Sequence, residues 1–468
     1  MRVMLPSSEW ILLALQMSVQ TPAVFHAVAA TGTMARALTV LIHPTFPRPI
    51  LHELADEAMR QYRKTIRSLR EYVDRALAAP VAIEPILLAC LLCVCFEAFR
   101  GKKSAAMDHA RLGWNIIQDQ ATRAEMKNSP SMKFLGSIVP QHAGAYALFD
   151  DKEHHDSTCC PTLPDLSVTV FDSIEEATHH LNILAKQSEH FRTRLLQLAR
   201  AHLAKSTRGM TDSVEFCLSA CISRTIHVSD SDRTRFEQLK LAHTKWKAAY
   251  SELNEIFSES NIEDHLALQI RHFYSNFALS TCRDSQETPT DLFMNEFKSA
   301  QDLTEQYLII ARRQALTLQR PEQPERSMFY GTSVLPTLHL IALKCRDPGL
   351  RRRALHVLAT AHKQEGLEYS GSLSVYAKAA VEIEEQRADV LAQNSAVFGM
   401  TPAQTALPEI ARIADCVTVG QGSLGVFRLI CARYVDGSPP LGQRQIEVTQ
   451  YEGGSVPLRL IDSWNVVV

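Results

Sequence analysis

The sequence predicts an all-α protein: a large helical bundle or α-solenoid-like array that carries a small C-terminal β-ribbon. Over most of the chain, apolar residues recur at mixed three- and four-residue spacings, as expected for helices with one buried face. Near residue 396 the pattern changes to short runs rich in β-branched and aromatic residues, which are typical of strands. We therefore predict a helical domain over residues 1–395 and an extension over residues 396–468 that contains the ribbon.

In the first part of the chain, the periodicity predicts helices over residues 11–38 with a break before Pro22, and over 54–73, 83–99 and 104–120. Proline fits the first turn of a helix, so Pro22 marks a second helix start. The segment Ile83–Phe99 is apolar nearly all round. Such a helix has no face suited to water, and we expect it at the centre of a bundle.

Further helices are predicted over residues 173–205, 233–257, 262–281, 299–318, 335–343, 349–362 and 373–386. Proline-containing stretches at 43–49, 150–164 and 321–325 are predicted loops. The ribbon is expected from Val426–Tyr434 and Arg444–Tyr451. The helical pattern has no fixed period, so it indicates no defined repeat family.

The composition is that of a globular chain, with 46% hydrophobic and 21% charged residues and a net charge of −2. Enough apolar material is present to oppose disorder. An autonomous DNA-binding domain usually has an excess of basic residues, which this chain lacks.

The longest apolar stretch, Ile86–Phe96, is about half of the roughly 20 residues that span a bilayer. No cleavage site of small residues follows the first apolar run, so we expect a soluble intracellular protein with free thiols and no membrane contact.

Cysteines lie close together at Cys90, Cys93 and Cys95, a spacing that is compatible with metal ligands. They lie in an apolar helix with no second ligand pair nearby, whereas a zinc site needs about four converging ligands. Core packing is therefore favoured for them, and also for Cys217 and Cys221, which are one helical turn apart. We predict no bound metal and no cofactor.

A polar loop offers the other metal hypothesis, because His154 and His155 precede Cys159 and Cys160. Adjacent residues rarely chelate one ion well, so a solvated loop is the favoured interpretation.

The chain contains none of the sequence motifs of nucleophilic, phosphate-binding or zinc-protease sites. This absence does not exclude an enzyme, but the residues favour a protein without catalytic activity and name no catalytic residue. Four side chains on apolar helices have the chemistry to line a ligand pocket: His109, Trp114, His339 and Tyr376. Core packing is the favoured role for each of them.

The most basic site is Arg351-Arg352-Arg353. Consecutive side chains point about 100° apart around a helix, so the three cannot line one groove. One interpretation is a patch for nuclear import or for an acidic partner. The favoured one is a helix start whose arginines pair with nearby carboxylates such as Asp347.

Several segments together resemble the regulatory domain that follows the Zn₂Cys₆ cluster in fungal transcription factors. The matching segments are Pro22–Ala30, Ala58–Arg70, Leu87–Glu97, Ala106–Gly113, Leu343–Pro348, Arg351–Leu358, Gln364–Glu368 and Glu382–Glu385. The matches are scattered over roughly residues 10–390. The most specific are those after Leu343.

The sequence departs from that family where the family reads DNA. The family's DNA-binding domain has six cysteines within about 40 residues, and a basic stretch among them places a helix in the major groove. Here the first cysteine is Cys90, and residues 1–40 contain only Arg2 and Arg36 as basic residues. The resemblance therefore implies no direct DNA binding by this chain, and it supplies no catalytic residues.

The resemblance implies a transcription-regulator-like protein of a fungal metabolic or secondary-metabolite pathway. We expect it in the nucleus, with the cytoplasm as the alternative. Its partner would be a full-length transcription factor or a second copy of the chain, and a small-molecule ligand is also compatible.

Two rival hypotheses remain open. The first is a cofactor-independent enzyme or small-molecule-binding protein of a natural-product pathway on the same scaffold. The second is a gene whose true start, with a zinc cluster, lies upstream of Met1.

Overall fold

The architecture was obtained from a computed structural model. The residues it describes are 7–42, 48–78, 83–100, 102–118, 169–206, 210–253, 262–284, 286–317, 328–329, 332–365, 368–397, 407–421, 427–435, 445–453 and 458–467. The predicted loop with His154, His155, Cys159 and Cys160 lies outside them.

The described residues contain thirteen α-helices. In chain order they are α1 Ser7–Ser18, α2 Pro22–Ile42, α3 Arg48–Ala78, α4 Glu84–Phe99, α5 Lys103–Gln118, α6 Ile174–Ser206, α7 Asp212–Ile222, α8 Asp230–Ser251, α9 Ile262–Thr281, α10 Met294–Thr317, α11 Val334–Lys344, α12 Pro348–Ala361 and α13 Ser370–Val397. Short 3₁₀ helices occur at Thr288–Phe293 and Glu409–Ala411.

Two β-sheets accompany the helices. The smaller consists of three two-residue strands, β1 Met328–Phe329, β2 Gln364–Glu365 and β3 Glu368–Tyr369. The larger is an antiparallel meander of β4 Asp415–Gln421, β5 Phe427–Tyr434, β6 Gln445–Gly453 and β7 Arg459–Val467. These elements confirm the predicted fold class, a mostly helical protein with a small C-terminal sheet. The predicted ribbon strands correspond to β5 and β6, and β4 and β7 extend it to four strands.

Helix α4 is the centre of the N-terminal bundle. Every residue from Pro85 to Phe99 is buried, as its apolar circumference predicts. Helices α2, α3 and α5 pack around it. A helix buried on all sides needs neighbours on all sides, and this requirement organises the first five helices.

Two further hydrophobic clusters form the middle of the chain. One joins α6, α8 and α9 around Leu181, Leu195 and Trp246. The other joins α9 to α13 around Phe297 and Leu338. Helix α9 contributes to both clusters, so it connects the two parts of the helical body.

Strand β5 of the C-terminal sheet is covered by helices on both faces. Residues Ile430 and Ala432 of β5 pack in one cluster with α7, whereas Leu429 and Cys431 pack in another with α13. A strand buried on both faces has a nearly continuous apolar sequence rather than an alternating one. This explains why six of the eight residues of β5 are apolar or aromatic, the exceptions being Arg428 and Arg433.

Within the described residues, no helix is both long and apolar enough to cross a membrane.

Helix α13 extends to Val397, eleven positions beyond the predicted end at Gln386. The boundary between residues 395 and 396 that we expect between two domains stays a prediction.

Candidate functional site

His109 is the predicted pocket residue with the most developed polar surroundings. It lies on α5 and is half-buried. Its Nε2 atom is 2.8 Å from the hydroxyl of Tyr62 on α3. The hydrogen bond joins two residues that are 47 positions apart in sequence, so the tertiary structure creates this pair.

The aromatic ring of Tyr62 is fixed by stacking. It lies parallel to the ring of Phe96 on α4, with centroids 4.4 Å apart and an interplanar angle of 15°. Next along α4, the buried carboxylate of Glu97 accepts hydrogen bonds from Arg100 at 2.8 and 3.0 Å. We call these five residues the His109 cluster: His109, Tyr62, Phe96, Glu97 and Arg100.

Burial keeps the cluster's phenol and imidazole neutral. Burial lowers the pKa of His109, which the charges of Glu97 and Asp108 only partly offset. Burial raises the pKa of Tyr62, and Glu97 raises it further. A neutral phenol beside a neutral imidazole can donate and accept hydrogen bonds, so the cluster has the chemistry to bind a polar group.

Of the other three predicted pocket residues, His339 and Tyr376 lie on helices outside the His109 cluster. Trp114 is on α5, and its side chain is outside the described residues. His339 is half-buried on α11. Tyr376 is on α13, where its ring packs edge-on against Phe427 of β5 with centroids 5.0 Å apart. Tyr376 thus belongs to the contact between α13 and the sheet, and its cluster is a different one from that of His109.

The cysteines proposed as core residues are buried. Cys90, Cys93 and Cys95 are each at most 1% exposed, and Cys217 and Cys221 are 0% exposed. Burial raises the pKa of Cys90 and of Cys221 to about 12, which disfavours the thiolate that a metal requires. In the part of the chain that the structure describes, no group of three or more His, Cys, Asp or Glu side chains could hold a metal ion.

The three consecutive arginines have different environments. Arg351 is buried and donates to Glu384 on α13 at 2.5 Å. Arg353 is exposed and forms a bidentate salt bridge with Glu305 on α10, with N–O distances of 2.7 and 2.6 Å. Arg352 is exposed. The paired carboxylates come from other helices, and only Arg352 and Arg353 present charge at the surface.

Sequence reasoning missed a buried charge network next to the segment that leads into β4. The carboxylate of Glu287, 1% exposed, pairs with Arg224 and with the ammonium group of Lys344 at 2.9 Å. Lys344 also donates to the backbone carbonyl of Ala414 at 2.8 Å. The network therefore connects α11 to the segment that enters β4.

A second carboxylate extends this network. Glu384 accepts from Arg346 at 3.0 Å and from the backbone N–H of Ile413 at 2.7 Å, in addition to Arg351. A signal for it was present in the sequence, because Lys344, Arg346, Arg351 and Glu384 all lie in the late segments that resemble the regulatory family. Those segments hold the sheet against the helical body.

A group of buried histidines and aromatic residues lies between α8 and α9. The ring of His272 stacks on Trp246 with centroids 4.6 Å apart, and its Nε2 atom is 3.2 Å from the backbone carbonyl oxygen of His243. His243 in turn is 3.0 Å from the hydroxyl of Ser188. Both histidines are buried, which assigns them to the core.

Comparison with known families gives one match. Residues 3–142 match the family model of the fungal specific transcription factor domain. The matched segment contains helices α1 to α5 and the whole His109 cluster. The resemblance indicated by the sequence is confirmed over this part of the chain. The comparisons with curated proteins and with solved structures found no match.

Proposed function

We propose that this protein is a transcription-regulator-like protein that acts in the nucleus on a fungal metabolic or secondary-metabolite pathway. The observation that carries the proposal is the match of residues 3–142 to the fungal specific transcription factor domain. That domain is regulatory, so a regulatory role is the function that the match supports.

We further propose that the chain reaches DNA through a partner instead of through a zinc cluster of its own. The spacing of its cysteines supports this, as does the burial of Cys90, Cys93 and Cys95 in α4. The net charge of −2 adds no electrostatic attraction to phosphates. The partner that fits is a full-length transcription factor with its own cluster.

The His109 cluster is the place where we propose that a small-molecule ligand would act. Its Tyr62 hydroxyl and His109 imidazole are neutral hydrogen-bonding groups held by a stacked ring. A ligand that forms hydrogen bonds with Tyr62 and His109 would break the hydrogen bond between them. This would change the contact between α3 and α5. This gives a physical link between ligand binding and the shape of the bundle.

Transcript measurements in a deletion strain test the regulatory role. Loss of transcripts from pathway genes, restored by the wild-type chain, is the expected result. Unchanged transcripts together with accumulation of an unconverted intermediate would overturn the proposal and favour an enzyme or carrier. Complementation with Tyr62→Phe tests the cluster, with the exposed Arg60→Ala on the same helix as the matched control.

Two further measurements test the partner and the location. In a mobility-shift experiment with zinc present, the purified chain alone should not retard promoter DNA. Added to the full-length factor, the chain should retard the factor–DNA complex further. A shift by the chain alone would contradict indirect binding. A fluorescent fusion should accumulate in nuclei, and stable exclusion from nuclei would contradict the proposed site of action.

A further inference from the structure

Two cysteines face each other across the C-terminal sheet. Cys416 on β4 and Cys431 on β5 are register partners in an antiparallel pair of strands. Facing residues in such a pair have Cα atoms about 4.5–5.5 Å apart. A disulfide bond spans Cα separations of about 4.4–6.8 Å, so the backbone already has the required spacing.

Both side chains are on the same face of the sheet. Cys431 belongs to the hydrophobic cluster formed with α13, and Cys416 packs against that cluster. Residues Ile430 and Ala432, which flank Cys431, face the opposite cluster with α7. The two thiols are therefore directed into the same layer.

We propose that Cys416 and Cys431 form a redox modification site, in which a hydroperoxide converts the two thiols into a cross-strand disulfide bond. Cys416 is half-buried and Cys431 is 1% exposed, so the oxidant reaches Cys416 first. This inference goes beyond the regulatory function and does not depend on it.

The chemistry balances with one peroxide. The sulfur of Cys416 attacks one peroxide oxygen, the O–O bond breaks, and the products are a sulfenic acid and, for hydrogen peroxide, water. The sulfur of Cys431 then attacks that of Cys416, the S–O bond breaks, and a second water leaves with the thiol proton. Two thiols are oxidised to one disulfide, and one hydrogen peroxide is reduced to two waters.

Exposure distinguishes this pair from Cys217 and Cys221, two neighbouring cysteines on α7. Cys217 and Cys221 are 0% exposed on α7, so an oxidant in solvent cannot reach either one. Burial raises the pKa of Cys416 to about 12, which makes the thiolate scarce and the reaction slow. The facing geometry, more than high reactivity, directs the product to a disulfide.

Peptide mapping of the full chain tests the proposal. The folded protein is treated with hydrogen peroxide, the remaining thiols are alkylated, and the protein is digested with trypsin without reduction. Cleavage after Arg412, Arg428 and Arg433 places the two cysteines in separate peptides, 413–428 and 429–433. The expected product is the linked pair, lighter by two hydrogens than the sum of the peptides and released by a reducing agent.

Variants and a denatured sample complete the test. The linked pair should disappear in Cys416→Ala and persist in Cys217→Ala, the matched control. In guanidinium, where the sheet is absent, linkage should spread among the cysteines.

The proposal is overturned if folded wild-type protein yields Cys416 as an oxyacid or an alkylated thiol without the linked pair. It is overturned equally if Cys416 links to other cysteines as often as to Cys431. The wild-type result stands even if a variant fails to fold.

Discussion

The carboxylate of Glu384 on α13 is hydrogen-bonded to the guanidinium of Arg351 on α12, and both side chains are at most 3% exposed. The same carboxylate accepts from Arg346 and from the backbone N–H of Ile413. One side chain thus holds two buried cations and the segment that leads into β4. Removing it would leave Arg351 without its buried carboxylate partner, whereas Arg346 would keep only the more distant Glu287, 3.8 Å away.

The first prediction follows from that relationship. Glu384→Ala should lower the free energy of unfolding by about 3–5 kcal/mol, because an unpaired charge remains buried. The neighbouring Glu385 is partly exposed and 3.9 Å from Arg352, so Glu385→Ala should cost about 0–1 kcal/mol. Urea denaturation of the two variants measures both. Equal losses would show that Glu384 does not have this role.

The arginine run gives the second prediction. Arg351→Ala should be destabilising by about 3–5 kcal/mol, since Glu384 would lose a buried partner. Arg352→Ala removes an exposed charge, and we expect a change of about 0–1 kcal/mol. Thermal unfolding of the two single variants compares them. An Arg351→Ala protein as stable as the wild type would show that the Arg351–Glu384 pair does not stabilise the fold.

The third prediction concerns acid stability. Burial alone would raise the pKa of Glu287, but the charges of Lys344, Arg224 and Arg346 outweigh it and lower the pKa to about 2. A carboxylate with a depressed pKa contributes stability above its unfolded value, about 4.3, and loses this contribution as the pH falls towards 2. Glu287→Gln should therefore reduce the dependence of unfolding free energy on pH between about 4.3 and 2.

Denaturation series at several pH values measure that slope. The matched control is Glu296→Gln, which removes an exposed carboxylate from α10. If the two variants had the same slope, the buried cation cluster would not control acid unfolding.

The buried histidines predict a separate effect at milder pH. Burial lowers the pKa of His243 to about 3 and that of His272 to about 4. The unfolded chain protonates these residues near pH 6.5. The unfolded state therefore binds more protons below that pH, and stability falls as the pH drops from about 6.5 towards 4.

Replacing one of these histidines should remove part of this loss. His272→Phe keeps an aromatic ring against Trp246 but does not titrate. Its loss of stability between pH 7 and pH 5 should be smaller than that of the wild type by about 2 kcal/mol. The exposed His356→Gln is the control and should leave the difference unchanged. An identical loss in His272→Phe and wild type would refute the assignment.

The last prediction addresses the His109 cluster. Tyr62→Phe removes the hydroxyl that bonds to His109 and keeps the ring stacked on Phe96. We expect a loss of about 0.5–1.5 kcal/mol, the usual value of one hydrogen bond. Tyr62→Ala also removes the stacked ring and should cost more. Chemical denaturation of both variants separates the two contributions, and equal losses would show that the ring contact is unimportant.

Much of the fold could be predicted from the sequence, because helical periodicity is a local property. The apolar circumference of α4 predicts its burial, and the buried surface from Pro85 to Phe99 confirms this. The apolar run of β5 predicts a strand. Strand β7 escaped prediction because most of its side chains are exposed, so neither an apolar run nor a regular alternation marks it.

The contacts of the candidate site depend on distant partners, and these only the tertiary structure decides. Tyr62 meets His109 across 47 positions, and Arg351 meets Glu384 across 33. Residues 351 to 353 are chemically identical, yet packing of α12 against α13 and α10 buries one and exposes two. The sequence by itself determined the helical class, the buried cysteines and the family resemblance. Which polar groups meet was decided by helix packing, because a local pattern gives the face of a helix but not the neighbour that covers it.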